Sequence, residues 1–173
     1  AALSAQQLTS SLALQRLKKQ KLILKDQIDA QGMATTLGSV LFKNFYPDKD
    51  AFIVEKLRHA GAVILGKATL GELGGGDTHG SLFGSTKNPY ALERTVGGSS
   101  GGSAASVSAN LAALGVGQEG LASIRRPAAW NSIGGMRTFA ELASEISNMA
   151  GPMVRGRGAV HAPITAARCP RSV

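Results

Sequence analysis

Apolar residues fall along this chain in two rhythms. Between Ala5 and Lys21, Leu8, Leu12, Leu14 and Leu17 recur near helical spacing with polar residues between them, which predicts a short amphipathic helix. The pattern then changes abruptly. Leu22-Ile23-Leu24 is a short continuous apolar run, the mark of a buried strand, and it delivers Lys25 at its end. Asp50 stands where it would cap a helix over 51–60, whose Phe52, Ile53, Val54 and Leu57 supply an apolar face, and Ala62-Val63-Ile64-Leu65 reads as a second buried strand. Strand, helix and strand in that order predict a βαβ unit and an α/β sheet.

The next stretch, from Gly71 to Gly84, is glycine-rich and loop-like, and Thr86 to Arg94 reads as an irregular connection through Asn88-Pro89. Small residues from Ser103 to Ala113 suit a helix packed closely on a sheet. Leu114-Gly115-Val116-Gly117 reads as another strand, with Ser123 on the loop after it. Trp130 and Met136 are expected in the core. From Gly156 to Val173 no period is visible, and Pro, Arg, Ala and Gly dominate, so residues 156–173 read as a disordered basic tail.

Composition narrows the class. The chain has 173 residues, 43% hydrophobic and 17% charged, which fits one globular domain rather than a disordered chain. The net charge of +8 invites a nucleic-acid reading. The basic residues, however, gather at the ends (Arg16, Lys18, Lys19 and Lys21, then Arg155, Arg157, Arg168 and Arg171), with no aromatic residues interleaved as stacking platforms, so no nucleic-acid partner is expected. The single Cys169 cannot close an intramolecular disulfide. No signal peptide and no apolar run of membrane-spanning length is visible, and a soluble, cytoplasmic protein with no membrane partner is the expectation. The first residue is Ala rather than Met, which fits a processing boundary.

Candidate chemistry lies where strands end. A serine hydroxyl is a poor nucleophile until a base takes its proton, and none of His59, His79 and His161 lies in a motif that would supply one. A neutral lysine is the alternative base, but its reference pKa near 10.4 would have to fall by roughly 3 pH units, about 4 kcal/mol. Burial of Lys25 beside Leu22, Ile23 and Leu24 acts in that direction, whereas Asp26 opposes it if its carboxylate turns toward the ammonium; the sequence leaves that sign open. The run Gly97-Gly98-Ser99-Ser100-Gly101-Gly102-Ser103 allows a tight turn that presents hydroxyls and N–H groups inward, and it lacks the Gly-Lys-Ser or Gly-Lys-Thr ending of a phosphate loop. Asp77 and His79 have no third partner that would make a metal site, so neither metal nor cofactor is expected.

Together Lys25, Ser99 in the glycine-serine run and Ser123 in Ala122-Ser123-Ile124-Arg125-Arg126-Pro127 resemble the Ser-cisSer-Lys set of the amidase signature family. The separations of 74 residues from Lys25 to Ser99 and 24 from Ser99 to Ser123 match that pattern. Further landmarks agree: Gly32-Met33-Ala34-Thr35-Thr36-Leu37-Gly38-Ser39, Ala62 to Lys67 with Glu72, and Thr86-Lys87-Asn88-Pro89-Tyr90, so that the resemblance runs from about Leu22 to Arg137.

The resemblance implies an α/β fold with a mixed β-sheet flanked by helices, and a hydrolase that cleaves the C–N bond of a small-molecule, non-peptide carboxylic amide through a serine acyl-enzyme. It implies Ser123 as nucleophile, Ser99 as bridging serine reached through a cis Gly98-Ser99 bond, and Lys25 as base. An oxyanion hole maps to the main chain of Gly120, Leu121, Ala122 and, as a further candidate, Ser123. Gly98, Ser100 and the pair Glu119 and Arg125 take supporting places, and Lys67 reads as structural. Family members run to several hundred residues, so residues 1–155 correspond to a partial domain, shortened at both ends. The alternative readings are a catalytically inactive, truncated remnant and an amidotransferase-type subunit; the oligomeric state is left open.

Overall fold

The structure, a computed structural model, describes residues 21–136 and a strand at 162–167. The amphipathic helix expected before Lys21 lies outside the described residues, as does most of the stretch expected to be a tail.

The continuous apolar runs become parallel strands at the heart of a sheet. Strand β1 (Lys21–Lys25) pairs in parallel with β2 (Val63–Ala68) on one side and β7 (Leu114–Glu119) on the other. Between β1 and β2 runs helix α1 (Phe52–His59), completing the expected βαβ unit. Beyond β7 the sheet turns antiparallel through β9 (Ala162–Ala167) and β8 (Gly134–Gly135), giving, among the described residues, five strands in the order β2-β1-β7-β9-β8. The sheet is mixed and the class is α/β.

One face of β1 and β7 closes on α1. Leu24, Ile28, Ala30, Val54 and Val116 are buried together, with Met33, Ile53, Leu57 and Ile64 packed around them. Asp50 does not cap this helix: Ala51 occupies the N-cap without a side-chain bond, and Asp50 instead accepts from the Gln31 N–H at 2.7 Å and pairs with Arg58 at 2.8 Å. A charged residue at the end of the helix thus claims the carboxylate before the helix N-terminus can.

Helix α2 (Gly101–Ser108) packs on the other face, where Ala104 and Val107 meet Ala128 and Ile133 near helix α3 (Arg125–Trp130). Small residues set the approach, because a Cβ at Gly102 would stand 2.3 Å from the Thr69 carbonyl oxygen. The connection between β2 and α2 holds two short antiparallel pairs, β3 (His79–Gly80) with β4 (Gly84–Ser85) and β5 (Lys87–Asn88) with β6 (Ala91–Thr95). The segment read as an irregular connection through Asn88-Pro89 is therefore a bulged hairpin, in which the Asn88 side chain accepts from the Tyr90 N–H to make the turn.

Two further expectations fail. Trp130 and Met136 are not core residues; they are 47% and 61% exposed. Ala162–Ala167, inside the stretch read as a disordered tail, forms β9. Main-chain pairing explains it, since β7 offers a free edge and a partner strand needs backbone N–H and C=O groups rather than an apolar period.

Candidate active site

Lys25 ends β1, and Glu119 ends the adjacent parallel strand β7, so the two carboxyl ends open side by side. The loop Gly120–Ile124 leaves β7 there, and the glycine-serine run that leads into α2 lies against both strand ends. The structure brings three side chains into one line. Lys25 Nζ lies 2.8 Å from Ser99 Oγ, and Ser99 Oγ lies 2.9 Å from Ser123 Oγ. The Gly98–Ser99 peptide bond is cis.

Lys25 is 2% exposed, and burial lowers its pKa from 10.5 to about 7. The question that Asp26 raised is answered by where its carboxylate points. Asp26 Oδ2 accepts from the Thr36 hydroxyl at 2.6 Å, the Thr36 N–H at 3.0 Å and the Gly38 N–H at 3.3 Å, while Oδ1 faces Lys67 at 3.7 Å. Lys25 therefore keeps the full effect of desolvation.

Ser123 is set by the main chain around it. Its carbonyl accepts from the Ser100 N–H at 3.1 Å, and the Ala122 carbonyl accepts from the Arg126 N–H at 2.9 Å. The Leu121 carbonyl accepts from the Arg125 guanidinium. The three carbonyls are thus engaged, whereas the N–H groups of Leu121, Ala122 and Ser123 find no acceptor among the described residues. The Leu121 side chain is 85% exposed.

Glu119 is fully buried. Its Oε2 accepts from the Ile124 and Arg125 N–H groups, both at 2.9 Å, and its Oε1 meets Arg125 Nε at 2.5 Å. Burial pushes this carboxyl up, but the N–H and guanidinium of Arg125 and the N–H of Ile124 outweigh it and hold the group below the ordinary carboxylate range. The carboxylate thereby fastens the start of α3 to the end of β7, with Ser123 between them. Ser100 adds a second tie, its hydroxyl donating to the Gln118 carbonyl at 3.3 Å.

Other residues at the site carry no motif of their own. Thr78 Oγ1 donates to the Gly97 carbonyl at 2.7 Å and accepts from the Gly101 N–H at 2.9 Å, so one hydroxyl holds both ends of the serine loop. Buried Asn131 donates to the Val96 carbonyl at 2.9 Å. Arg126 reaches Gly98, Gly76 and Asp77. The only trace of Arg126 in the sequence is the doubled arginine after Ser123. Lys67 is not at the site: it donates to the Ala34 carbonyl at 2.7 Å and to Thr35 Oγ1 at 2.6 Å. His79 is exposed and bonded to Ser85. Among the described residues no cluster of His, Cys, Asp or Glu is arranged to hold a metal, and no helix is long and apolar enough to cross a membrane.

A mixed α/β sheet with a lysine and two serines in hydrogen-bond sequence at its strand ends defines the class. The family model described as Amidase matches residues 3–150, and the chain belongs to the amidase signature family. Its relatives include a glutamyl-tRNA(Gln) amidotransferase subunit of Sulfurisphaera tokodaii, 44% identical over 115 residues that cover 66% of this chain and 24% of that protein. The corresponding subunit from Acidothermus cellulolyticus is 44% identical over 78% of this chain and 28% of its own length. Among solved structures, native peptide amidase from Stenotrophomonas maltophilia superposes with a TM-score of 0.75 at 33% identity, covering 94% of this chain and 34% of that one. The glutamyl-tRNA(Gln) amidotransferase subunit from Thermotoga maritima gives 0.67 at 40% identity, over 71% and 28%. The chain spans about a quarter of the length of the curated relatives it matches.

Proposed function

We propose that this chain carries an amide-hydrolysing site in which Ser123 is the nucleophile, Ser99 the proton bridge and Lys25 the base. The observation that carries the reading is the unbroken contact sequence of 2.8 and 2.9 Å ending on a buried lysine whose pKa is about 7. While Lys25 is an ammonium, it donates to Ser99 and Ser99 donates to Ser123. Once neutral, it accepts instead, and both bonds reverse, so that the Ser123 proton points along the path it must leave by.

Attack then follows a balanced course. Ser123 Oγ bonds to the carbonyl carbon of a small amide as its proton passes to Ser99 and the Ser99 proton passes to Lys25. The N–H groups of Leu121, Ala122 and Ser123, with Gly120 beside them, receive the negative oxygen; donors of this kind are each worth about 3 kcal/mol to a transition state. Collapse breaks the C–N bond, the relay returns the proton to the departing amine, and the acyl group stays on Ser123. Water, giving its proton to the same relay, releases the acid. Glu119, Arg125, Gly98 and Ser100 hold the loops in register.

A second reading has its own support. The relatives named as amidotransferase subunits are 44% identical to this chain, and such a subunit would hand ammonia to a partner instead of releasing it. Treating the purified chain with a fluorophosphonate probe tests the shared step. Labelling is expected, and it should be lost in Ser123→Ala and Lys25→Ala. A folded chain that takes no label would leave the inactive-remnant reading standing. Where labelling succeeds, ammonia release from small amides without any partner protein separates a hydrolase from a component of an amidotransferase.

A further inference from the structure

The loop that carries Ser99 meets the Gly76-Asp77 loop beside it. Gly98 lies flush on the backbone of Gly76 and Asp77: a Cβ placed on it would stand 2.4 Å from the Gly76 carbonyl oxygen and 2.8 Å from Asp77 Cα. The carbonyls of Gly98 and Gly76, facing one neighbourhood with like dipoles, need a shared donor. Arg126 supplies it. Its Nε donates to Gly98 O at 3.3 Å, and Nη2 donates to Gly76 O at 3.1 Å and to Asp77 Oδ1 at 2.9 Å. Among the described residues no other group donates to the Gly98 carbonyl. Trp130, one turn further along α3, places its ring 5.6 Å from the guanidinium carbon and also closes on Gly97, where a Cβ would meet Trp130 at 3.1 Å.

We propose that Arg126, braced by Asp77 and Trp130, is a positioning residue: its guanidinium clamps the Gly76-Asp77 loop to the Gly98 carbonyl and so fixes Ser99 Oγ between Lys25 and Ser123. The inference rests on the reading of Ser123 as nucleophile. A planar fork with donors on three nitrogens fits two carbonyls and a carboxylate at once, whereas an ammonium gathers its three donors on one nitrogen at the end of a flexible stem. Lysine is therefore a poor substitute at this position. The side chains of Arg126 and Asp77 are 37% and 41% exposed, so a small soluble guanidinium can reach the place that a truncated Arg126 would vacate.

The test compares the parent with Arg126→Met, Arg126→Lys, Arg126→Ala and Asp77→Asn in two measurements. In fluorophosphonate labelling of Ser123, Arg126→Met and Arg126→Lys are each expected to fall by about 10²-fold, the cost of misplacing a reacting group by about 1 Å. Methylguanidinium should restore several-fold of that loss in Arg126→Ala and change nothing in the parent. In amide hydrogen exchange, which needs no activity, the segments 97–102 and 71–78 should lose about tenfold in protection in Arg126→Met and Asp77→Asn, with β2 and α1 unchanged. A lysine variant that labels at the parent rate overturns the proposal, and so does unchanged protection of both segments in a folded variant. If the parent itself takes no label, the reading of Ser123 fails on its own, and the exchange measurement still decides the clamp.

Discussion

Two buried lysines sit on neighbouring strands, Leu24 pairing with Lys67 and Lys25 with Ala68, yet their surroundings make them different chemical groups. Lys67 is held by a carbonyl, a hydroxyl and the Asp26 carboxylate. Burial lowers its pKa, while Asp26 and Asp29 push it back up. Among the described residues Lys25 has only a serine hydroxyl for a partner, and none of their charges opposes its desolvation. Burial acts on both; the choice of partner decides which one remains a structural cation and which becomes an amine able to take a proton near neutral pH.

The widest difference should appear in stability against pH. The folded pKa of Lys25, about 7, lies below its unfolded value of 10.5, so the unfolded chain binds more protons between those limits and folding stability rises with pH across them. The cost is fully present below pH 7 and relieved by pH 10.5, a span of about 5 kcal/mol at ~1.4 kcal/mol per pH unit. Urea unfolding of the parent and Lys25→Met should therefore show the variant ahead at pH 6.5 and the gap closing by pH 10. A constant gap would mean that Lys25 titrates normally.

Next in size, Lys25→Met should slow fluorophosphonate labelling by about 10³-fold, within the range of a lost general base. In the parent the labelling rate should rise with pH to half its plateau near 7. Lys67→Met should do the reverse: a loss of about 3 kcal/mol in unfolding free energy, because Asp26 is left buried without its cation, and a labelling midpoint that stays put. The smallest change sharpens the comparison most. Asp26→Asn should remove the Asp26 share of what pushes the Lys67 pKa up, leaving only Asp29, and bring that lysine closer to Lys25, at a cost of about 1–2 kcal/mol and with a second rise in stability above neutral pH. Acid–base difference titration of the variant against the parent checks it.

How far the sequence revealed this arrangement depended on the range of the forces involved. Leu22-Ile23-Leu24 and Leu114-Gly115-Val116 announce buried parallel strands because every side chain in them is apolar or absent, and the residues that follow such strands are where sites in α/β sheets stand. Lys25, Ser99 and Ser123 were legible for that reason and by family resemblance. The sign of Asp26 was not, since it depends on Thr36, Gly38 and Lys67 reaching it from other segments. Thr78, Asn131 and Arg126 act on carbonyls 19 to 50 residues away, and no local pattern records a carbonyl as a partner. Trp130 misled because a large aromatic reads as core, whereas here the ring lies against Gly97 and the Arg126 guanidinium while about half of the residue stays exposed.

The contact between Lys25 and Ser99 joins residues 74 apart, and the burial that desolvates the amine exists only in the folded chain. Assembly of this molecule in mildly alkaline solution therefore expels a proton. A weakly buffered solution carrying a pH dye should acidify as the chain refolds in a stopped-flow mixer, and the change should be absent from Lys25→Met. The lysine is thus a reporter of its own burial.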